Sequence, residues 1–355
     1  MKLLITGLCG FAGSSLAFEL QRRIEGLEIR GLDNLSRAGS ELNRGLFRAR
    51  GIRCVHGDVR NPSDLEGLPR PDWIIDAAAN PSVLAGAVGG VSSRQLMEHN
   101  LVGTLNLLEH AKRHSAGLAL LSTSRVYSLS RLAALPMETR NGAFAPRFDS
   151  IDEPGLSSRG VAEAFPTQPP LSLYGSAKLA SEILALEYGA AFRLPVFINR
   201  CGVLAGPGQF GKADQGIFSF WVHSFREKRP LKYIGFGGSG RQVRDCLHPR
   251  DLADLLARQL RQPEKAGRAV NVSGGVGNSM SLAQLTDWCA RRFGPLEVQS
   301  EASNRLYDVP WLVLDAGRAE AEFGWRPETR IETVLEEIAA HAEAQPEWLD
   351  LARDP

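Results

Sequence analysis

Short apolar runs alternate with helical patterns through roughly the first two hundred residues, and few folds tolerate that alternation. The runs are LLIT, EIRGLD, IRCVHG, DWIIDAA, LALLST and PVFINR. Between them lie helical stretches, one beginning at Ala12, a long one from about Ser92 to Arg113, and one beginning near Tyr174. Strands joined by helix-length crossovers run parallel, because each crossover carries the chain back to the same end of the sheet. The expected fold class is therefore α/β, a doubly wound parallel sheet, in which PVFINR supplies a sixth strand. After Asn199 the pattern loosens into the glycine-rich turns GPGQFG and GFGGSG, which suggests a smaller C-terminal α/β portion resting on that sheet. The boundaries expected are 1–202 with 242–273 for the larger unit, and 203–241 with 274–355 for the smaller.

Between Ser128 and Pro170 the periodicity dissolves among Pro136, Pro146, Pro154, Pro166, Pro169 and Pro170. A connection of that length reads as a lid or a disordered stretch. No internal repeat or low-complexity tract interrupts the chain.

Acidic and basic residues nearly cancel, 40 against 41, so the charge balance gives no reason to expect nucleic acid or a membrane surface as partner. A small, specific ligand is the better expectation. The apolar run from Lys2 to Thr6 is too short for a signal segment, and no stretch approaches the length of a spanning helix, so a cytoplasmic location is expected. Cys9, Cys54, Cys201, Cys246 and Cys289 are widely separated and never form a CxxC pair, which fits reduced thiols. His110 and His114 lie one helical turn apart, but without a third ligand they read as a solvated helix face, and no metal is expected.

Gly7, Gly10 and Gly13 form a GxxGxxG run between the first strand and the first helix. There the backbone can approach a pyrophosphate, and the helix start supplies unpaired N–H donors. Asp33 closes the second strand, where an acidic side chain accepts hydrogen bonds from an adenosine ribose diol. That carboxylate would repel a 2′-phosphate, so NAD is expected rather than NADP, with Arg37 the one feature favouring the phosphorylated form. The sheet is thus of Rossmann type. Asp58 and Val59 are placed to meet the adenine, or Asp58 simply caps the next helix. Ala77, Ala78 and Ala79 keep the fourth strand end small, for close passage of a cofactor or for tight packing.

Tyr174 and Lys178 stand at i and i+4, so both project from one helix face toward a common ligand. A phenol with an ordinary pKa near ~10 is a poor base at neutral pH, whereas a neighbouring ammonium and a cationic nicotinamide stabilise its anion. Tyr174 can then accept an alcohol proton, with Thr123 fixing the substrate oxygen and Lys178 holding the nicotinamide ribose.

With TGLCGFAG, NLVGTLNLLEHA, STSRVYS, LYGSAKLASE and VRDCLHPRDLADLL in view, nearly the whole chain resembles the extended short-chain dehydrogenase/reductase family of nucleotide-sugar epimerases and dehydratases. The resemblance implies a cofactor site that adds Phe11, Ala12, Asn34, Ser36, Asn100 and Arg200 to the residues above. It implies a substrate site of Pro81, Thr123, Ser124, Arg125, Gln209, Gln215, Arg244 and Arg305, with Arg244 on the diphosphate or ribose. It further implies a homodimer or dimer of dimers, paired through the helices from Ser92 and Tyr174, and a role in lipopolysaccharide sugar supply.

Within the family, a dehydratase needs an added acid and base after the active-site hydroxyl, and this chain has Ser124 and Arg125 there. Oxidation followed by reduction, which is epimerisation through a keto sugar, is the implied reaction. The ETR run at Glu138 to Arg140, the DQG triplet at Asp214 to Gly216 and GSGRQVRDCLH resemble the branch that inverts C2 of a CDP-hexose. Ser128, Ala205, Asn80 and Pro81 depart from the family pattern on the sugar side. The alternatives are a UDP-hexose 4-epimerase and a non-catalytic NAD-binding protein.

Overall fold

In the first strand, β1 (Lys2–Thr6), the apolar residues alternate between two buried faces. Leu3 and Ile5 join one core cluster and Leu4 the other. That two-sided burial is what a strand covered by helices on both sides requires. A computed structural model describes residues 1–88 and 92–351. It pairs β1 in parallel with β2 (Glu28–Asp33) on one side and with the strand Trp73–Asp76 on the other. Beyond β2 lies β3 (Arg53–His56), the edge strand. We label Trp73–Asp76 β4 and Gly117–Thr123 β5.

The full sheet has seven strands, in the order Arg268–Val272, Val196–Cys201, β5, β4, β1, β2, β3. Every pairing in it is parallel. The expected doubly wound sheet is present, with one strand more than the sequence suggested. Because β1 sits between β2 and β4, crossovers leave it in opposite directions and open a crevice at the carboxyl ends of the strands. Helix α1 (Phe11–Arg23) and the helix Pro249–Leu260 pack together on one face. The helices ending at His114 and Phe192 cover the other, with Leu107, Leu108 and Ala185 at the contact.

The long helix from Ser93 to His114 contains a π-helical turn at Glu98–Val102. Such turns accompany functional sites in many helices. Here it presents buried Asn100, whose side chain clamps the Asn80 backbone: its oxygen accepts from the Asn80 N–H (2.8 Å) and its amide donates to the Asn80 carbonyl (2.9 Å).

A smaller sheet gathers Val203–Leu204, Val243–Leu247, Ser279–Ser281 and Trp311–Leu312. Beside it Phe218, Trp221, Val222 and Phe225 bury against Leu335 and Ile338. Residues 243–247 therefore lie with the second sheet, although the sequence reading grouped 242–273 with the larger unit. Only the helix after Pro249 and the strand Arg268–Val272 return to the large sheet.

The proline-rich segment is folded, which corrects the reading of it as a disordered stretch. It folds into a short helix, Leu129–Ala133, and two hairpins, Met137–Arg140 with Ala143–Pro146 and Leu156–Ser157 with Gly160–Val161. Leu129, Leu132, Leu135, Val161 and Phe165 are spaced irregularly, so no period betrays them, yet all are buried against Val309, Trp311 and Leu314. Asn271 ties the segment to the large sheet, its amide donating to the Val161 carbonyl (2.8 Å) while its oxygen accepts from the Tyr127 hydroxyl (2.6 Å).

Among the described residues no helix is long and apolar enough to cross a membrane. Among them, too, no group of three or more His, Cys, Asp or Glu residues is placed to hold a metal ion. The rings of His110 and His114 meet edge to face at 4.6 Å, and burial with His114 beside it pushes the His110 imidazole down to about 4.

Candidate active site

The glycine loop between β1 and α1 opens the site. Gly7 has φ +63°, and a Cβ there would stand 2.9 Å from the Ala77 carbonyl oxygen. A Cβ at Gly13 would stand 2.1 Å from the Gly7 carbonyl oxygen, so the first turn of α1 can seat against the loop only with glycine at that position. No side chain caps α1 at Gly10, which leaves its first N–H groups facing the crevice. The small residues Ala77 and Ala78 are thus explained by contact with Gly7 as well as by the open space they line.

Asp33 ends β2 with both carboxylate oxygens engaged. One accepts from the Cys9 backbone N–H (2.8 Å), the other from Leu35 N–H (2.7 Å). Each oxygen keeps a further lone pair for a ribose hydroxyl. The Arg37 guanidinium donates to Gln215 Oε1 (3.1 Å) and to the Phe210 carbonyl, joining the loop after β2 to the DQG triplet.

A cavity of about 410 Å³ runs from this loop to the ends of β4 and β5. That falls within the ~300–1,000 Å³ of small-molecule sites. Gly7, Gly10, Phe11, Ala12, Asp33, Asn34, Ser36, Arg37, Val59, Ala77, Ala78 and Ala79 line it. Thr123, Tyr174 and Lys178 line the same cavity, as do Pro81, Ser124, Arg125, Gln209 and Gln215.

Five expected residues, Asp58, Asn100, Arg200, Arg244 and Arg305, lie off this wall. Asp58 accepts from Arg60 through its backbone and guanidinium, and from Asn34 (2.9 Å); these bonds outweigh burial and hold its carboxyl well below the usual carboxylate range. Asn100 grips Asn80 instead. Arg200 makes a buried two-pronged ion pair with Glu182 (2.7 Å at Nη2), and Glu182 also accepts from Ser122. Burial lowers the guanidinium pKa but the Glu182 hydrogen bond overrides it, so Arg200 stays charged as a structural group beneath the site. Arg244 is bound to Asp308 and to the Val309 carbonyl (2.9 Å), and Arg305 donates to the Ala213 carbonyl (3.0 Å).

Tyr174 and Lys178 come from the helix Leu173–Phe192, which begins where the Ser172 hydroxyl accepts from Gly175 N–H (3.0 Å). Gly175 is required there, since a Cβ would lie 2.2 Å from the Arg125 carbonyl oxygen. Burial pushes the Tyr174 phenol up, opposed by a hydrogen bond with Thr123 and by the charge of Arg125. Lys178 is 2% exposed and its Nζ donates to the Leu121 carbonyl (3.0 Å). Burial pushes the ammonium down, and the charges of Asp76 and Glu182 push it back up. The buried network of Thr6, Asp76 and Thr104 therefore supports the lysine from below, through bonds of 3.0 and 2.7 Å to the Asp76 carboxylate.

Sequence reasoning missed Leu121, Ser122, Val83 and His99 as lining residues, along with the stretch from Cys201 to Leu204. The strand-end members were findable, because ligands sit at the carboxyl edge of such sheets. Asp214 also lines the cavity and accepts from Ser82 (2.8 Å), joining the loop after β4 to the DQG triplet.

Residues 3–273 match the family described as NAD dependent epimerase/dehydratase. A CDP-paratose 2-epimerase from Salmonella typhi is 32% identical, over 92% of this chain and 95% of its own. A dTDP-L-rhamnose 4-epimerase from Burkholderia thailandensis is 27% identical, over 95% and 93%. The structure of a UDP-glucose 4-epimerase from Thermus thermophilus, in complex with NAD, superposes with a TM-score of 0.75 at 26% identity, covering 97% of this chain and 99% of that one. With the glycine cradle, the Asp33 carboxylate and the Tyr174–Lys178 pair already in place, the chain belongs to the NAD dependent epimerase/dehydratase family and is an extended short-chain dehydrogenase/reductase enzyme with NAD as its cofactor.

Proposed function

We propose that the enzyme inverts C2 of a CDP-hexose, in the manner of CDP-paratose giving CDP-tyvelose, through a transient keto sugar. One observation carries the reading. Thr123, Tyr174 and Lys178 share a single cavity with the glycine loop, and the two residues after Thr123 are Ser124 and Arg125, not the acid and base that elimination of a hydroxyl would need. The sequence likeness to a CDP-paratose 2-epimerase over most of both chains supports C2 as the carbon.

NAD, held between the glycine loop and the Tyr174–Lys178 pair, would supply the hydride-accepting and hydride-donating chemistry. Tyr174 accepts the hydroxyl proton as the ketone forms and gives it back on reduction, and Thr123 holds the reacting oxygen during both. Lys178, anchored on the Leu121 carbonyl, would hold the nicotinamide ribose. Arg125 places a cation near the phenol. Asp33 would receive the adenosine ribose, and the N-terminus of α1 the pyrophosphate.

We further propose a homodimer paired through the two helices that end at His114 and Phe192, working in the cytoplasm to supply sugar for lipopolysaccharide. Exposed Val102, Ile183 and Phe192 on those helices support that face.

The test is incubation of the NAD-loaded protein with CDP-paratose and, separately, with UDP-glucose, each product being read by NMR. The expected result is a C2 epimer from the CDP sugar and no change in the UDP sugar. Inversion at C4 of UDP-glucose alone would replace this reading with the second one, a UDP-hexose 4-epimerase. The structural likeness to such an enzyme is what keeps that second reading in play.

A further inference from the structure

Two cysteines far apart in the chain meet beside the dinucleotide loop. The sulfurs of Cys9 and Cys54 are 3.4 Å apart and share a hydrogen bond. Cys9 lies between Gly7 and Gly10 and is fully buried, whereas Cys54 sits half-buried on β3, the edge strand. The backbone of Cys9 is built into the cofactor site: its N–H donates to Asp33 Oδ2 (2.8 Å) and its carbonyl accepts from Asn43 Nδ2 (2.8 Å).

The pair is polarised. The hydrogen bond from Cys9 lowers the Cys54 thiol and raises that of Cys9, while the charge of nearby Arg44 favours the thiolate at both and Asp33 opposes it. Cys54, half-buried on the edge strand, is the more accessible sulfur and the one a peroxide can reach. Among the described residues, Cys201, Cys246 and Cys289 show no such contact with a second thiol, and burial pushes all three up.

We propose that Cys9 and Cys54 are a reversible oxidation site, in which a peroxide joins them as a disulfide and thereby loosens NAD at its adenosine end. The Cys54 thiolate attacks one peroxide oxygen, the O–O bond breaks, and the departing hydroxide takes a proton to become water. The Cys9 sulfur then attacks the resulting sulfenic acid; the S–O bond breaks, and the Cys9 proton leaves with the second water. Two thiols give up two electrons and two protons to one peroxide. A disulfide holds its sulfurs ~2.05 Å apart, so closing it brings the two sulfurs roughly 1.4 Å nearer and pulls on the Cys9 loop and β3 together. That pull acts on the Cys9 N–H contact with Asp33, the carboxylate offered to the ribose.

The experiment treats the full-length protein with hydrogen peroxide, maps its peptides without reduction by mass spectrometry, and titrates NAD by calorimetry before and after dithiothreitol. The expected result is a Cys9–Cys54 linked peptide, NAD affinity weakened by about tenfold or more, and recovery of both on reduction. Cys54→Ser, with Cys54→Ala as a second variant, binds NAD like the parent and ignores peroxide. Three results would overturn the proposal: Cys54 overoxidised with no linked peptide, a linked protein that binds NAD unchanged, or peroxide weakening NAD binding equally in the Cys54 variants. None of these depends on which sugar the enzyme takes.

Discussion

The phenol of Tyr174 is buried, and burial alone would leave it a worse base than free tyrosine. What offsets this is local: Thr123 hydrogen-bonds it and Arg125 places a cation near it. Arg125 is itself pushed down to about 10 by burial and by the like charge of Arg244. It remains protonated at neutral pH. Replacing Tyr174 by Phe removes the base and is expected to cut kcat by about 10²–10⁴ while NAD still binds. Arg125→Met tests the electrostatics. Losing a cation raises the phenol pKa, and the base must be deprotonated to act, so the acid limb of the kcat/KM profile moves to higher pH, whereas Arg125→Lys restores it. A profile that falls in height without moving would assign Arg125 to substrate binding alone. At this scale the glycine run, Asp33 and the Tyr174–Lys178 pair were legible because each depends on spacing along one turn or one helix. The resemblance alone sent Arg200 and Asn100 to the cofactor. Their partners, Glu182 and Asn80, lie 18 and 20 residues away along the chain, and no local pattern reveals such pairs.

Among the elements, the segment from Ser128 to Pro170 was the least legible. Its prolines break every period, so the sequence offers no helix or strand face to read. Its order comes from burial that only the fold supplies, with Phe165 1% exposed and set edge-on to Tyr127 at 5.9 Å. Phe165→Ala is expected to destabilise the protein by ~3–5 kcal/mol, as removal of a buried aromatic ring does. Thermal melting measures this. A change near zero, with fast amide exchange through residues 129–165, would return the segment to the lid or disordered stretch first expected of it. The parallel strands behave oppositely: continuous apolar runs such as LALLST and PVFINR became β5 and its neighbour Val196–Cys201, because strands buried on both faces carry no polar alternation to misread.

Across the whole molecule, the sheet order creates the crevice, and the loop that follows Val203–Leu204 walls it with Gln209 and Gln215. Sequence reading expected a larger and a smaller unit and grouped 242–273 with the larger, whereas the strand Val243–Leu247 pairs within the second sheet. That strand follows a glycine turn and precedes a helix, as a Rossmann strand would, and only its pairing partners tell otherwise. The exposed apolar residues on the paired helices bear on assembly. Ile183 is 57% exposed, and Ile183→Glu is expected to convert the proposed dimer to monomer in light scattering while the monomer stays folded. A parent protein already monomeric would remove that interface. Epimerisation through a keto sugar requires a hydride that leaves and returns to one carbon without visiting solvent. Turnover of CDP-paratose in deuterated water measures this directly. The expected product is the C2 epimer carrying ordinary hydrogen at the inverted carbon; deuterium at that carbon would mean inversion by proton exchange and would contradict the account.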